Sequence, residues 1–143
     1  VSAAEQLAAP SAGSVELAFN LAPSILGGQY ANNGWLQELP NPITKLTWDN
    51  AAVMSYNTAE ALGIDWSSAQ HKGVYRGTLI TLTVNGASVT LPSFVPPGVA
   101  DGCIMLDLGY GQEIGQIATG AGVDVRPVRP AARHGHQHSY RCD

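Results

Sequence analysis

Three histidines at alternate positions, His134, His136 and His138, are the densest set of chemistry-bearing side chains in the sequence, with Cys142 a few residues on. In an extended segment, residues two apart point the same way, so three imidazoles would share one side and form a borderline-soft metal site. The opposing reading is a terminal segment whose histidines take up metal adventitiously. The fourth histidine, His71, stands alone. Nucleophilic chemistry finds less support, because no G-x-S-x-G turn occurs and no Ser/His/Asp set suggests itself. Glu16, Glu38, Glu60 and Glu113 are scattered, so nothing argues for a paired acid and base. The glycines around Tyr110 lack the G-x-G-x-x-G spacing of a dinucleotide turn. They read first as tight turns on a rim, and second as bare backbone able to approach a phosphate closely. Trp35 and Trp48 read as core residues ahead of stacking platforms. Cys103, in the apolar run Cys103-Ile104-Met105-Leu106, reads as a buried thiol, and neither cysteine has the C-x-x-C spacing of a zinc or iron–sulfur site.

The elements that would position these residues belong to one domain. A chain of 143 residues, 45% apolar and 13% charged, has the balance of a folded core. So little charge also suggests a surface partly covered by a partner. The net charge of −4 opposes general binding to a nucleic-acid backbone, since the arginines are Arg76 and a C-terminal group of four. No window approaches a membrane span, because the longest uncharged stretch, residues 77–100, is broken by three prolines and three glycines. No basic, apolar leader opens the chain, and the start at Val1 leaves processing and excision from a longer polypeptide both open.

Residues 1–13 read as a linker, 14–130 as the domain and 131–143 as a His-rich tail. Alternation or β-branched runs predict strands over 15–19, 51–54, 78–84, 87–91 and 103–108, with a last one near 123–125. Asn85-Gly86 is a strong hairpin signal, and Pro92 implies that the returning strand ends there or lies on an edge. Pro40-Asn41-Pro42 forbids a long helix after Trp35, so a single turn or an irregular segment packing Trp35, Leu36 and Leu39 inward is expected. A helix of roughly two turns follows 55–57. Ser55 or Asn57 caps it, Glu60 is spaced to reach back, Gly63 ends it, and Leu62 and Ile64 anchor it. The sum is a mainly β domain, a small closed or half-closed barrel carrying a helix insertion.

The stretch Asn32-Asn33-Gly34-Trp35-Leu36-Gln37-Glu38-Leu39-Pro40-Asn41-Pro42-Ile43-Thr44-Lys45-Leu46-Thr47-Trp48-Asp49-Asn50 resembles the segment that opens the C-terminal dinucleotide-binding domain of the molybdopterin oxidoreductases. It is more similar still to the molybdopterin-like part of the large iron–sulfur subunit of bacterial alternative complex III. Residues 55–64 match its S-x-x-T-A-x-x-L-G-[IL] helix, and the Asn85-Gly86 hairpin, Pro97-Gly98-Val99-Ala100-Asp101-Gly102 and Leu108-Gly109-Tyr110-Gly111 follow in order. The similarity runs from about residue 15 to residue 129.

The resemblance implies a double-psi β-barrel of the aspartate-decarboxylase-like kind. In catalytic members the loops equivalent to 32–38 and 108–112 hold the molybdopterin guanine dinucleotide, which would place Asn33, Trp35, Gln37, Tyr110 and Gln112 against it. In the alternative complex III protein the domain is a scaffold without molybdenum cofactor. It lies beside iron–sulfur and haem-bearing subunits that carry electrons from a quinol, at the extracytoplasmic face of the membrane. Here residues 70–77 replace the usual Gly-Asp step, Gln112 stands where an Arg often follows G-Y-G, and no iron–sulfur cysteines follow. The expectation is a non-catalytic module of such a membrane complex. Its rivals are the dinucleotide-binding domain of a true molybdenum or tungsten oxidoreductase of the polysulfide-reductase type, and a metal binder acting through His134, His136 and His138.

Overall fold

The computed structural model describes residues 15–65 and 77–129. The His-rich tail, Cys142 and His71 lie outside the described residues, as does most of the segment 70–77. Among the described residues, five strands form one mixed sheet: β1 (Glu16–Leu21), β2 (Ala52–Met54), β3 (Leu79–Val84), β4 (Ala87–Phe94) and β5 (Cys103–Leu108). The sheet order is β1-β5-β2-β4-β3, parallel between β1 and β5 and between β2 and β4, antiparallel elsewhere. Two short helices, α1 (Gly34–Glu38) and α2 (Tyr56–Ala61), and 3-10 turns at Leu26–Gly28 and Arg126–Val128 complete the fold. The domain is thus mainly β, as the sequence indicates.

Alternation does most of the work in the strands. Ile104, Leu106 and Leu108 of β5 point inward, as do Leu82 and Val84 of β3 and Val89 and Leu91 of β4. All five strands, together with Val125 and Val128, feed a single apolar core. On the outer face of the β3–β4 hairpin the hydroxyls pair across the strands, Thr81 with Thr90 at 3.0 Å and Thr83 with Ser88 at 2.9 Å.

Pro92 departs from expectation, because β4 runs through it to Phe94 and lies inside the sheet. Ser93 N donates to Thr78 O at 2.8 Å, so the neighbouring pair Leu79–Pro92 is a non-hydrogen-bonded one. The proline nitrogen therefore faces away from β3. On that other side, pairing with β2 begins only at Ser93, and no ladder bond is lost. The strand expected near 123–125 is absent. Both backbone groups of Val123 are bonded to the Asn50 side chain, and Asp124 turns the chain by accepting from Arg126 N at 2.9 Å.

Helix α2 is capped by Ser55, whose Oγ accepts from Thr58 N at 3.1 Å, so Glu60 is not placed to close a capping box. Its far end is a Schellman turn, with Gly63 at φ 69° and bonds from Gly63 N to Glu60 O and Ile64 N to Ala59 O. That turn carries Ile64 onto the core and leaves Leu62 exposed, against the expectation for Leu62. Helix α1 takes the first of the two forms expected, a single turn, but of the three residues expected inward only Leu36 packs there. Trp35 is 85% exposed and Leu39 is also exposed, while Gln37 is 1% exposed and Leu36 packs partly on Ala22, Ile25 and Tyr110. Trp48 is exposed as well, and Cys103 is a free thiol of intermediate burial.

Candidate functional site

Two long connections, residues 22–51 between β1 and β2 and 109–125 after β5, meet beyond the last residues of β1 and β5. Ala22 N donates to Leu108 O at 3.1 Å, and Gly111 N donates to Ala121 O at 2.8 Å. At Gly109, φ is 121° and a Cβ would lie 2.6 Å from Gly28 N, so only glycine lets the two chains touch there. Asn32 Oδ1 accepts from Ile117 N at 3.1 Å and Ala118 N at 3.4 Å. Asn50, buried behind these loops, donates to Asp107 O at 2.9 Å and Val123 O at 3.0 Å and accepts from Val123 N at 2.8 Å.

The segment 32–50 uses its polar side chains on itself and its neighbours. Asn33 Oδ1 caps α1, accepting from Trp35 N at 3.1 Å and Leu36 N at 3.4 Å. Gln37 Nε2 donates to Ala31 O at 2.9 Å, while its Oε1 is buried with no hydrogen-bond partner among the described residues. Asn41 Oδ1 accepts from Ile43 N at 2.9 Å and Thr44 N at 3.1 Å, and its Nδ2 reaches Asp107 Oδ2 at 3.3 Å. The outward positions go to apolar side chains: Trp35, Leu39, Trp48, and Ile43 at 80% exposure.

Two adjoining clefts open beside this segment and share Leu46, Asp49, Asn50 and Ala51. The larger, about 140 Å³, continues to Pro92, Ser93 and Phe94. The smaller is polar and is lined by Asn41, Thr44, Asp107 and Tyr110. Burial holds the Asp49 carboxyl above its ordinary range, partly offset by the N–H of Asn50. Burial raises Asp107 in the same way. The Tyr110 phenol is pushed up mainly by burial, eased by a hydrogen bond with Ser24 and reinforced by the charges of Asp107 and Asp49. The clefts therefore carry negative or protonated groups and disfavour an anion.

Of the five residues expected to line a dinucleotide, Asn33, Tyr110 and Gln112 are occupied within the fold, and Gln37 is buried with only its Nε2 bonded. Gln112 Nε2 donates to Gly109 O at 3.3 Å, and its amide covers Gly28. Only Trp35 presents an open face. A pyrophosphate would also need cations. Among the described residues these are Lys45, Arg126 and Arg129. Lys45 Nζ donates to Pro42 O at 2.9 Å, and Arg126 forms a two-pronged pair with Asp124. The loops come together, but the donor set of the described residues does not by itself fit a pterin dinucleotide.

Among the described residues, Ser55 and Asp101 form a hydroxyl–carboxylate pair with a catalytic look, at 2.5 Å. Ser55 Oγ is already the helix cap, and Asp101 also accepts from Asn57 Nδ2 at 2.8 Å. Those bonds from Ser55 and Asn57 hold the Asp101 carboxyl below its ordinary range, which makes it a poor base. No group of three or more His, Cys, Asp or Glu that could hold a metal occurs among the described residues. Sequence reasoning missed Asp49, Asp107, Asn41 and Asn50. The usable signal was Asn50 itself, an amide set directly before the apolar run Ala51-Ala52-Val53-Met54, where a buried polar group needs partners. No family model matches the chain, and no curated protein gives a significant match.

Proposed function

We propose that this chain is a non-catalytic structural module of a membrane-bound quinol:acceptor oxidoreductase of the alternative complex III type, built on a double-psi β-barrel. In that setting it docks at the extracytoplasmic face among iron–sulfur and haem-bearing subunits and holds no cofactor itself. One observation carries the reading. The segment 32–50, which bears the resemblance, buries the amides of Gln37 and Asn50 and displays Trp35, Leu39, Ile43 and Trp48 to solvent. A free-standing domain gains nothing from that inversion, whereas a docked one buries the apolar side chains against a neighbour.

The acidic clefts and the internally occupied amides support the scaffold over the rival dinucleotide-binding role. The rival draws on the close approach of the 27–28 and 109 backbones, which gathers the loops a pterin would need. The deciding experiment is purification of the detergent-solubilised complex through this chain, followed by subunit identification and metal and pterin analysis. Iron and haem in co-purifying subunits, without molybdenum, tungsten or pterin, is the expected result. Stoichiometric molybdenum or tungsten with a pterin overturns the proposal and favours the rival.

A further inference from the structure

We infer that Trp35, Trp48 and Ile117 form the anchor of a docking surface for a protein whose contact face has an apolar centre flanked by Lys or Arg. This deepens the scaffold reading, on which it rests for the expectation of a protein partner. Ile117 and Trp48 meet at Gly34: a Cβ added there would lie 3.7 and 3.8 Å from the Ile117 side chain and 3.9 Å from the edge of the Trp48 ring. Trp35 is the next residue, and all three are exposed. The patch is also held in place. Asn32 accepts from the N–H of Ile117 at 3.1 Å, Asn33 caps the turn that carries Trp35, and Trp48 N donates to Gln37 O at 3.1 Å. Trp48 sits at φ 61°, a conformation that side-chain-bearing residues avoid, so the surrounding bonds hold an aromatic ring outward against its backbone preference. Rigidly presented tryptophan is the residue type that most often dominates an interface.

The charges around the patch select the partner. Glu38 follows Trp35 by three positions on the same turn, and Glu113 precedes Ile114 in the loop that carries Ile117. Both are exposed, and neither makes a hydrogen bond or ion pair among the described residues. Among the described residues, Lys45 is a cation within the same segment, and its Nζ donates to Pro42 O. An anionic lipid surface would be repelled by this rim, and interfacial binders carry the opposite charge. A second copy would set carboxylate against carboxylate. A partner rimmed with Lys or Arg satisfies the carboxylates while covering the rings.

The test uses the purified full chain and two synthetic helical peptides with the same leucine face, one flanked by lysines and the other by glutamates. Binding is read by the intrinsic tryptophan fluorescence of the chain. The lysine peptide is expected to bind roughly tenfold tighter at low salt, with the difference shrinking as salt is raised. Trp35→Ala with Ile117→Ala should weaken both peptides. Glu38→Lys with Glu113→Lys should reverse the preference, and since both glutamates are exposed the fold is expected to survive, as circular dichroism would verify. Equal affinity for the two peptides, or no binding of either, overturns the inference. So does preferential binding to phosphatidylglycerol-containing vesicles, or self-association that Trp35→Ala abolishes. The metal and pterin content of the complex is measured separately, so failure of either proposal is visible without the other.

Discussion

Asn50 joins three segments far apart in the sequence: its own loop, the end of β5 through Asp107 O, and the closing loop through both backbone groups of Val123. Replacing it with Ala leaves those buried groups without partners, and the expected loss is about 2–4 kcal/mol. A lowered urea midpoint at unchanged slope would report it; a loss under about 0.5 kcal/mol would show that the amide is not the clamp. Asp107 makes a different prediction, one of sign. Burial raises its folded-state pKa above the ordinary 3.8, so the folded protein holds that proton more tightly than the unfolded chain. Stability contributed at this site therefore falls as pH rises from about 3.8 through the raised value. Asp107→Asn should remove that slope, giving a variant more stable than the parent at neutral pH, with the gain vanishing in acid. Melting temperatures between pH 3 and 7 check this, and a pH-independent difference would contradict it. Asp101 runs the other way: hydrogen bonds from Ser55 and Asn57 lower it, so its contribution is present above the ordinary value and lost as pH falls through the lowered one.

Among the elements, two glycines with opposite roles separate backbone need from surface shape. Gly109→Ala puts a methyl group 2.6 Å from Gly28 N at a φ of 121°, and a loss of roughly 2–4 kcal/mol in thermal or denaturant unfolding is expected. Gly34→Ala meets only Ile117 and Trp48 at ordinary contact distance, within a helical turn, and should be neutral or stabilising by up to about 1 kcal/mol. Equal costs at the two positions would contradict the account of how the loops meet. The strands were largely legible, because period-two alternation and the Asn85-Gly86 turn are local signals that the burial pattern repeats. Ser55 as a cap was legible for the same reason. The facing of α1 was not, since one helical turn has no periodicity to read, and hydrophobic side chains alone argued for Trp35 inward. What decided it lay outside the turn: Gln37 bonding Ala31 six residues back, and Leu36 fitting beside Ile25 and the distant Tyr110. The strand expected near 123–125 failed likewise, because the Asn50 amide took the backbone groups that a ladder would have used.

For the whole molecule, the proposed scaffold role would account for a low-charge domain with an apolar rim and acidic clefts. The meeting of Asp49 and Asp107 at the cleft could not be foreseen, as nothing local links residues from opposite halves of the chain. The outward apolar set was foreshadowed only by the scarcity of charge. Hydroxyl-radical footprinting of the chain, alone and within the detergent-extracted membrane complex, tests the docking claim most directly. Trp35 and Ile43, each at least 80% exposed in the domain, should label strongly in the isolated chain and be protected in the complex, while the outer hydroxyl face of β3 and β4 stays unchanged. Equal labelling of Trp35 and Ile43 in both states would contradict it.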